Sequence, residues 1–318
     1  MTAAAAPPVD AILRAAGVPP DGLALSDCSR SHEVTYAAGP GGRWVVKRAG
    51  DRSLAAELYA YRLASWHPRL ASVVPRALLL DERRQVLVLE AAPADALFPA
   101  VSLDPGFPSP ALAAGLGRAL AELHAATDGL PLVTVAGCGI VHLPDAEPVF
   151  TGDSEAAQAL ARTAASDAAL APALRRVAAL LSPSCLVHAD VKWDNAILDP
   201  ADVRLFDWEL SGHGDPAWDV GCALADTTSL GVRLRGAGAP LGMTPAGAAL
   251  LAAYGRLADG FAERVAGFWI ARMAHLALEC AAAVEDAAHP VVVALLDAAR
   301  AMAARYDELA GAVDGAGR

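Results

Sequence analysis

The sequence predicts an α+β fold of two lobes, with a small antiparallel sheet and one helix in residues 1–92 and a larger, mainly helical lobe in residues 93–318. The first observation is length, because 318 residues exceed what a single hydrophobic core usually organises. The second is that strand-like apolar runs fill the first part, whereas helical periodicity dominates the second. The third is a run of four prolines from Pro99 to Pro110, which follows the last strand-like run and places the lobe boundary near residue 92.

The N-terminal lobe is predicted to contain four strands and one helix. Two of the strands flank Gly39–Gly42, a composition typical of a hairpin turn. The helix follows Ser53, a residue type that caps helices, and its apolar residues recur near helical spacing as far as Trp66. The strands are predicted over His32–Ala37, Arg43–Arg48, Ala77–Leu80 and Gln85–Leu89.

The C-terminal lobe is predicted to be helical around three short strands. The helices are predicted over Ala111–Ala126, Glu155–Leu181, Pro245–Asp259, Ala262–Ala283 and Pro290–Ala312. The strands are predicted over Leu186–His188, Ala196–Leu198 and Val203–Phe206. The longest uncharged run, Gly236–Gly255, is broken by prolines, so we expect no membrane-spanning helix there and no membrane partner.

Composition argues against several other classes of protein. The first ten residues contain no basic segment followed by an apolar core, so we expect no secretion signal and a cytoplasmic location. The five cysteines are scattered without CxxC spacing, which disfavours a disulfide framework and a zinc cluster. Nucleic acid is not expected as a partner, because the sequence has no basic stripe to neutralise its phosphates.

The acidic residues are concentrated in one part of the chain, whose net charge is −11. Between Leu186 and Gly221 there are eight Asp and Glu residues against two Lys and Arg residues. Crowded carboxylates repel one another unless a cation lies among them, and a divalent metal is the simplest candidate. The stretch therefore predicts a metal-binding region.

That acidic stretch contains a chemically specific pattern. His188 and Asp190 form an H-x-D sequence, Asn195 follows five residues after the Asp, and Asp207 ends the next apolar strand. A loop of this length can direct the first carboxylate at a hydroxyl, while the amide and the second carboxylate hold a metal on phosphates. Each element alone is more often a cap or a turn residue, but together they are specific.

The segments HADVKWDN (188–195) and FDWELSGHGDPAWDVG (206–221) resemble the catalytic and metal-binding signatures of the aminoglycoside phosphotransferase and choline kinase superfamily. The resemblance covers about Ser26 to Ala225 and implies a bilobal, protein-kinase-like fold. It implies ATP and Mg²⁺ as cofactors, Asp190 as the catalytic base, and Asn195 and Asp207 as metal ligands. His188 is expected to orient the loop rather than to react.

The resemblance also implies a nucleotide site in the N-terminal lobe. Lys47, at the end of a strand, matches the phosphate-binding lysine, and Glu57 on the following helix matches its ion-pair partner; without the downstream motif both would be ordinary surface charges. The segment around Ser29 and Ser31 takes the place of a glycine-rich phosphate loop, and its backbone and hydroxyl groups can hold phosphates. The backbone of the segment from Glu90 to Ala92 is expected to contact adenine.

Three further positions have structural expectations. Asp215 and Asp219 match family positions that brace the catalytic loop and begin the next helix, a role that suits Asp. Ala189 stands where the family often has Gly, and its methyl group is expected to be tolerated unless the residue needs a positive φ.

The acceptor is left open between three hypotheses. A small antibiotic or amino alcohol is one; a polycation would need a carboxylate-rich pocket, and residues 222–318 carry ten Asp and Glu against eight Lys and Arg. A Ser or Thr of a precursor peptide, with a partner lyase that eliminates the phosphate, is favoured, because VKWDN, DWEL and GDPAWDVG are similar to the kinase-like phosphotransferases of class V lanthipeptide and thioamitide pathways. A pseudokinase interaction module is disfavoured because every catalytic residue type is present.

Overall fold

The computed structural model of the protein describes residues 7–29, 32–102, 106–130, 139–146, 154–199, 202–255 and 258–318. Its strands are β1 (Ala24–Asp27), β2 (Glu33–Gly39), β3 (Gly42–Arg48), β4 (Ala77–Asp81), β5 (Val86–Glu90), β6 (Cys185–Val187), β7 (Ala196–Ile197), β8 (Arg204–Leu205) and β9 (Gly212–Gly214). Its helices are α1 (Val9–Ala15), α2 (Ala55–Trp66), α3 (Pro68–Ala71), α4 (Phe98–Val101), α5 (Pro110–Thr127), α6 (Glu155–Ala165), α7 (Leu170–Ala179), α8 (Pro216–Arg235), α9 (Pro245–Tyr254), α10 (Phe261–Val284), α11 (Pro290–Ala303) and α12 (Tyr306–Gly317). A small antiparallel sheet with a mainly helical second part is the predicted α+β fold, which is confirmed.

The N-terminal sheet has the order β1-β2-β3-β5-β4, and every neighbouring pair is antiparallel. Side chains alternate between the two faces of a strand, so β5 serves two cores. Val86 and Val88 pack with Ile12 and Leu13 of α1, whereas Leu87 and Leu89 belong to the core that contains α2. The four predicted strands are confirmed, and burial on both faces explains why β5 is apolar at consecutive positions.

Helix α2 connects this sheet to the second lobe. Ser53 accepts a hydrogen bond from the Ala55 N–H, and the helix begins at Ala55. Leu54, Leu58 and Tyr61 are buried in a core shared with the helices of the second lobe, and α2 also packs against the turn at Trp208–Leu210. The helix thereby places Glu57 between the sheet and the acidic stretch Leu186–Gly221.

The second lobe is built around α10, which packs against α6, α7, α8, α11 and α12. This 24-residue helix is long and apolar enough to cross a membrane, but 78% of its most apolar window is buried inside the fold. Burial by five neighbouring helices accounts for its apolar composition. A close approach elsewhere requires glycine, since a Cβ at Gly117 of α5 would lie 2.2 Å from the Leu250 carbonyl oxygen of α9.

Two helix predictions were wrong in the same way. The span predicted as one helix from Glu155 to Leu181 is two helices, because Asp167 accepts hydrogen bonds from the Ala169 and Leu170 N–H groups and starts α7 anew. The span predicted from Pro290 to Ala312 divides between α11 and α12 at Ala304 and Arg305. Alanine-rich sequences keep helical periodicity through such breaks, so periodicity alone does not reveal them.

The turn after β6 has a left-handed backbone at Ala189, whose φ is +69°. A side chain in this region clashes with the following carbonyl, at a cost of roughly 1–2 kcal/mol. Ala189 therefore meets the exception stated for it in the sequence analysis, because the residue has the positive φ at which its methyl group is not expected to be tolerated freely.

Replacing Ala189 with glycine tests this strain. The substitution relieves the left-handed backbone but adds conformational entropy to the unfolded chain and removes a partly buried methyl group. We expect Ala189→Gly to leave the free energy of unfolding unchanged or to raise it by up to about 1 kcal/mol. Ala304→Gly, at an exposed position with φ −64°, is the matched control and should lower it by about 0.5–1 kcal/mol. If chemical denaturation shows the same loss in the free energy of unfolding for both variants, the backbone at Ala189 is not strained.

Candidate active site

The catalytic loop, residues 188–195, is held at its start by a carboxylate of α8. Asp219 is fully buried and accepts hydrogen bonds from the backbone N–H groups of His188 (2.7 Å) and Ala189 (2.9 Å). His124 of α5 lies 3.2 Å from the same carboxylate. Asp215 caps α8 by accepting from the Ala217 N–H. Asp219 thus braces the loop and Asp215 begins the helix, as the sequence predicted.

His188 joins the catalytic loop to the strand that ends at Asp207. Its ring is fully buried; Nδ1 accepts from the Asp190 N–H at 3.3 Å, and Nε2 lies 2.9 Å from the Phe206 carbonyl oxygen. Since a carbonyl only accepts, the bonding pattern assigns the ring proton to Nε2. A buried ring with both nitrogens engaged orients the loop and does not reach a substrate.

Asp190 has polar partners on both carboxylate oxygens. Oδ1 lies 3.2 Å from a guanidinium nitrogen of Arg272, while Oδ2 lies 2.6 Å from Lys192 Nζ and 3.0 Å from Asn195 Nδ2. Burial by itself would raise the pKa of Asp190, but Arg272 and then Lys192 outweigh it and hold that pKa below its ordinary value. The side chain is therefore an ionised carboxylate, the form that can accept a proton.

Asn195 lies five residues further along the same loop. Both hydrogen bonds of its Nδ2 group go to Asp190, one to the backbone oxygen and one to Oδ2. Its backbone oxygen accepts from the Phe206 N–H at 2.9 Å, which fixes Asn195 beside the segment of Asp207. With the amide nitrogen turned toward Asp190, the amide oxygen is the atom left to face a cation.

Lys47, Glu57 and Asp207 come together from three separate elements. Lys47 Nζ lies 2.6 Å from Glu57 Oε2 and 2.5 Å from Asp207 Oδ1, so one ammonium group is shared by two carboxylates. Burial alone would lower the pKa of Lys47, but Glu57 and Asp207 hold it above its ordinary value. Burial raises the pKa of Glu57 to about 7, even though Lys47 acts in the opposite direction. Asp207 has φ +66°, and its side chain is about one third exposed, so its carboxylate stays accessible beside Lys47.

The donor set in this cleft fits Mg²⁺ held jointly with phosphates. Mg²⁺ is usually bound by one or two carboxylates while substrate phosphates and water complete its octahedron. Asp207 supplies a partly exposed carboxylate and Asn195 an amide oxygen. In the described part of the chain no group of three or more His, Cys, Asp or Glu side chains could hold a metal ion by itself. A site of this kind depends on the nucleotide for its remaining ligands.

The predicted phosphate loop is only partly described. Ser29 Oγ accepts from the Val34 N–H at 3.0 Å, which uses the hydroxyl within the β1–β2 hairpin, and Ser31 lies outside the described residues. His32 is buried, and its Nε2 lies 2.8 Å from a carboxylate oxygen of Glu209, two residues after Asp207. The hairpin therefore meets the segment of Asp207 directly, while a role of Ser29 and Ser31 toward phosphates stays a prediction.

The predicted adenine-contacting segment leaves the sheet at the end of β5. Glu90 donates its N–H to the Arg76 oxygen, and its exposed side chain pairs with Arg76 at 2.8 Å. Ala91 donates its N–H to the Arg43 oxygen, so the chain still runs along the sheet there. An adenine contact by Glu90 or Ala92, and the lobe boundary at residue 92, stay predictions.

Sequence reasoning missed two residues that contact Asp190. Lys192 lies within the HADVKWDN segment, and a lysine two residues after the predicted base was a signal for one of them. Arg272 lies in the apolar run GFWIARMAHLAL, and a single charge in a buried helix signals a buried partner, because an unpaired charge is costly to bury. The identity of that partner, 82 residues away along the chain, is visible only in the fold.

Solved structures share this fold across nearly the whole chain. A choline/ethanolamine kinase family protein from Mesorhizobium loti has a TM-score of 0.57 at 19% identity, covering 96% of this chain and 98% of its own. The macrolide 2′-phosphotransferase MphH from Brachybacterium faecium has a TM-score of 0.53 at 21% identity, covering 90% and 98%. The amicoumacin kinase hAmiN, solved with AMP-PNP, Ca²⁺ and Ami, has a TM-score of 0.60 at 14% identity, covering 95% of both chains.

The family comparison is more specific than the likeness of folds. No curated protein matches the chain. The model of the phosphotransferase enzyme family (APH) matches residues 29–269, about three quarters of the chain. The match includes Lys47, the loop of residues 188–195 and Asp207. The predicted superfamily, bilobal fold and phosphotransferase activity on hydroxyl groups are thereby confirmed. This chain belongs to the phosphotransferase enzyme family.

Proposed function

We propose that the protein transfers the γ-phosphoryl group of ATP, in the presence of Mg²⁺, to an alcohol hydroxyl. The observation that carries this proposal is the meeting of two side-chain sets in one cleft. Lys47, Glu57 and Asp207 form one set, and Asp190 with Asn195 forms the other. The Asn195–Phe206 backbone bond and the His188–Phe206 bond connect the two sets.

Each side chain has a role that follows from its contacts. Lys47 exchanges a carboxylate partner for the phosphates, and Glu57 keeps its ammonium group in place. Asn195 and Asp207 are the residues that hold Mg²⁺, which neutralises charge on the phosphates when bound. Asp190 accepts the hydroxyl proton as the acceptor oxygen bonds to the γ-phosphorus and the bond to ADP breaks. This arrangement argues against a pseudokinase, whose site would lack one or more of these groups.

For the acceptor, we propose a Ser or Thr hydroxyl of a peptide, with a lyase as the partner that eliminates the phosphate. Two cations, Lys192 and Arg272, lie against Asp190 and make the surroundings of the base unfavourable for a polycation. The near balance of charge in residues 222–318 supports the same choice. A small-molecule alcohol is the second candidate, favoured by the names of the structural neighbours, which include choline and macrolide kinases. A cytoplasmic location, where the chain meets ATP, belongs to the proposal.

Removing the base should separate turnover from nucleotide binding. We expect Asp190→Asn to lower turnover by roughly 10²-fold or more, while the affinity for Mg·ATP changes little, because Asp190 is assigned to the acceptor proton. Asp194→Asn is the matched control, an exposed carboxylate in the same loop, and should keep wild-type turnover. Steady-state kinetics and calorimetric ATP titration measure both quantities. Turnover of Asp190→Asn within a few-fold of wild type excludes Asp190 as the base.

Removing the metal-binding carboxylate should affect nucleotide binding itself. We expect Asp207→Ala to abolish the dependence of ATP affinity on Mg²⁺, because Asp207 is the partly exposed carboxylate assigned to the ion. Asp202→Ala, on the turn before β8, removes an exposed carboxylate and should leave that dependence intact. ATP titrations with and without Mg²⁺ make the comparison. An unchanged magnesium dependence in Asp207→Ala contradicts the assignment.

The acceptor is tested by mass spectrometry. We expect the protein, with ATP and Mg²⁺, to add about 80 Da per event to a Ser/Thr-containing precursor peptide encoded nearby, the mass of one phosphoryl group. The peptide is assayed with and without the neighbouring lyase, beside a panel of aminoglycosides, macrolides and amino alcohols. Phosphorylation of a panel member at about 10⁴ M⁻¹s⁻¹ or faster, with none of the peptide, would replace the peptide by a small-molecule acceptor.

A further inference from the structure

Arg272 of α10 is a buried cation with a protein partner at each end. Its side chain is 5% exposed, and one guanidinium nitrogen lies 3.2 Å from Asp190 Oδ1. The other lies 2.7 Å from Glu279 Oε1 and 2.9 Å from His275 Nδ1. Burial, followed by Arg272 itself, lowers the pKa of His275 to about 4, so this ring is neutral and can accept the hydrogen bond. One side of the guanidinium is thus held by two residues of its own helix, and the nitrogen on the other side donates to Asp190.

The three polar partners of Asp190 differ in what else they must do. Asn195 can bind a metal through its amide oxygen while its Nδ2 stays on Oδ2 of Asp190. Lys192 is about one third exposed, so it can turn from Oδ2 to a phosphate when the nucleotide binds, and this opens a position on Oδ2 for the acceptor hydroxyl. Arg272 has no second anion to turn to, because its other end is bound to Glu279 on the same helix. Its contact with Oδ1 can therefore persist throughout the reaction.

We propose that Arg272 is a positioning residue that holds Oδ1 of Asp190 and so leaves Oδ2 to take the proton of the acceptor hydroxyl. The inference rests on the proposed phosphotransfer and adds which oxygen of the base reacts and what aims it. In the step itself the hydroxyl proton passes to Oδ2, the acceptor oxygen bonds to the γ-phosphorus, and the bond between that phosphorus and the ADP oxygen breaks. The guanidinium is itself held by Glu279 and His275, so it donates to Oδ1 from a fixed position, which a flexible lysine ammonium group does not do.

A second arginine on the same helix provides a matched control. Arg264 lies about two turns before Arg272, is also largely buried, and pairs with Asp215 at 2.8 Å. That pair supports the start of α8 and has no contact with the base among the described residues. Arg264→Lys therefore reproduces the loss of a buried guanidinium–carboxylate pair on α10 without removing a direct partner of Asp190.

The experiment compares Arg272→Lys, Arg272→Met and Arg264→Lys with wild type. The readouts are ADP formation with acceptor and with water alone, KM for ATP, and thermal unfolding. We expect Arg272→Lys to lower kcat roughly tenfold and Arg272→Met roughly 10²-fold, with KM for ATP within about threefold, because a misaimed base slows transfer without weakening nucleotide binding. Arg272→Lys should therefore keep more of the wild-type kcat than Arg272→Met does. Arg264→Lys should lower the unfolding temperature and keep kcat.

Each outcome decides the inference. Wild-type kcat in Arg272→Lys or Arg272→Met, or an equal fall in kcat for Arg264→Lys, overturns the positioning role and leaves the proposed function standing. If Arg272→Met does not fold, the comparison of the two lysine variants decides alone. A wild-type protein that forms no ADP with any acceptor or with water contradicts the proposed function itself, and the positioning role falls with it.

Discussion

The predicted catalytic loop depends on the hydrogen bonds that its first two backbone N–H groups donate to the buried carboxylate of Asp219. The carboxylate satisfies two consecutive backbone N–H groups where the chain leaves β6, and it lies on α8, whose own start is fixed by Asp215. Buried backbone donors without partners are costly, so the loop has one well-defined path out of the sheet. That path includes the left-handed residue Ala189, and the next residue is Asp190, the proposed base. The direction of Asp190 is therefore decided one residue earlier.

The site is completed by elements far apart in sequence that meet around this loop. Helix α2 brings Glu57, β3 brings Lys47, and α10 brings Arg272. The core that contains α2 is continuous with that of the C-terminal helices, so the two lobes are held by apolar contact as well as by ion pairs. His32 and Glu209 add a further contact between the lobes beside Asp207. The residues around Asp190 and Asp207 therefore lie on elements that are packed into both lobes.

The sequence was most informative where a local pattern controls local structure. Strand-like apolar runs and the glycine-rich turn predicted β2 to β5. The spacing of His188, Asp190, Asn195 and Asp207 predicted groups that the fold does bring together. Their assigned chemical roles stay predictions. Local patterns missed α1 and the breaks inside two long helices. In the first of those helices, capping by Asp167 overrides the alanine-rich periodicity. Local patterns also missed the charge pairing of Arg272, since long-range contacts depend on how helices pack and not on spacing along the chain.

The shared ammonium of Lys47 has a consequence for the order in which charges enter the cleft. One ammonium group balances part of the charge of two carboxylates, at 2.6 Å and 2.5 Å. On the proposed assignment of Asp207 to the metal, a Mg²⁺ ion without nucleotide would compete with that ammonium group for Asp207 and would gain few other ligands. A nucleotide would offer its phosphate oxygens to Lys47, so Asp207 would be held less tightly and could bind the ion. The ion pair of Lys47 would thus make metal binding depend on the triphosphate that accompanies the metal.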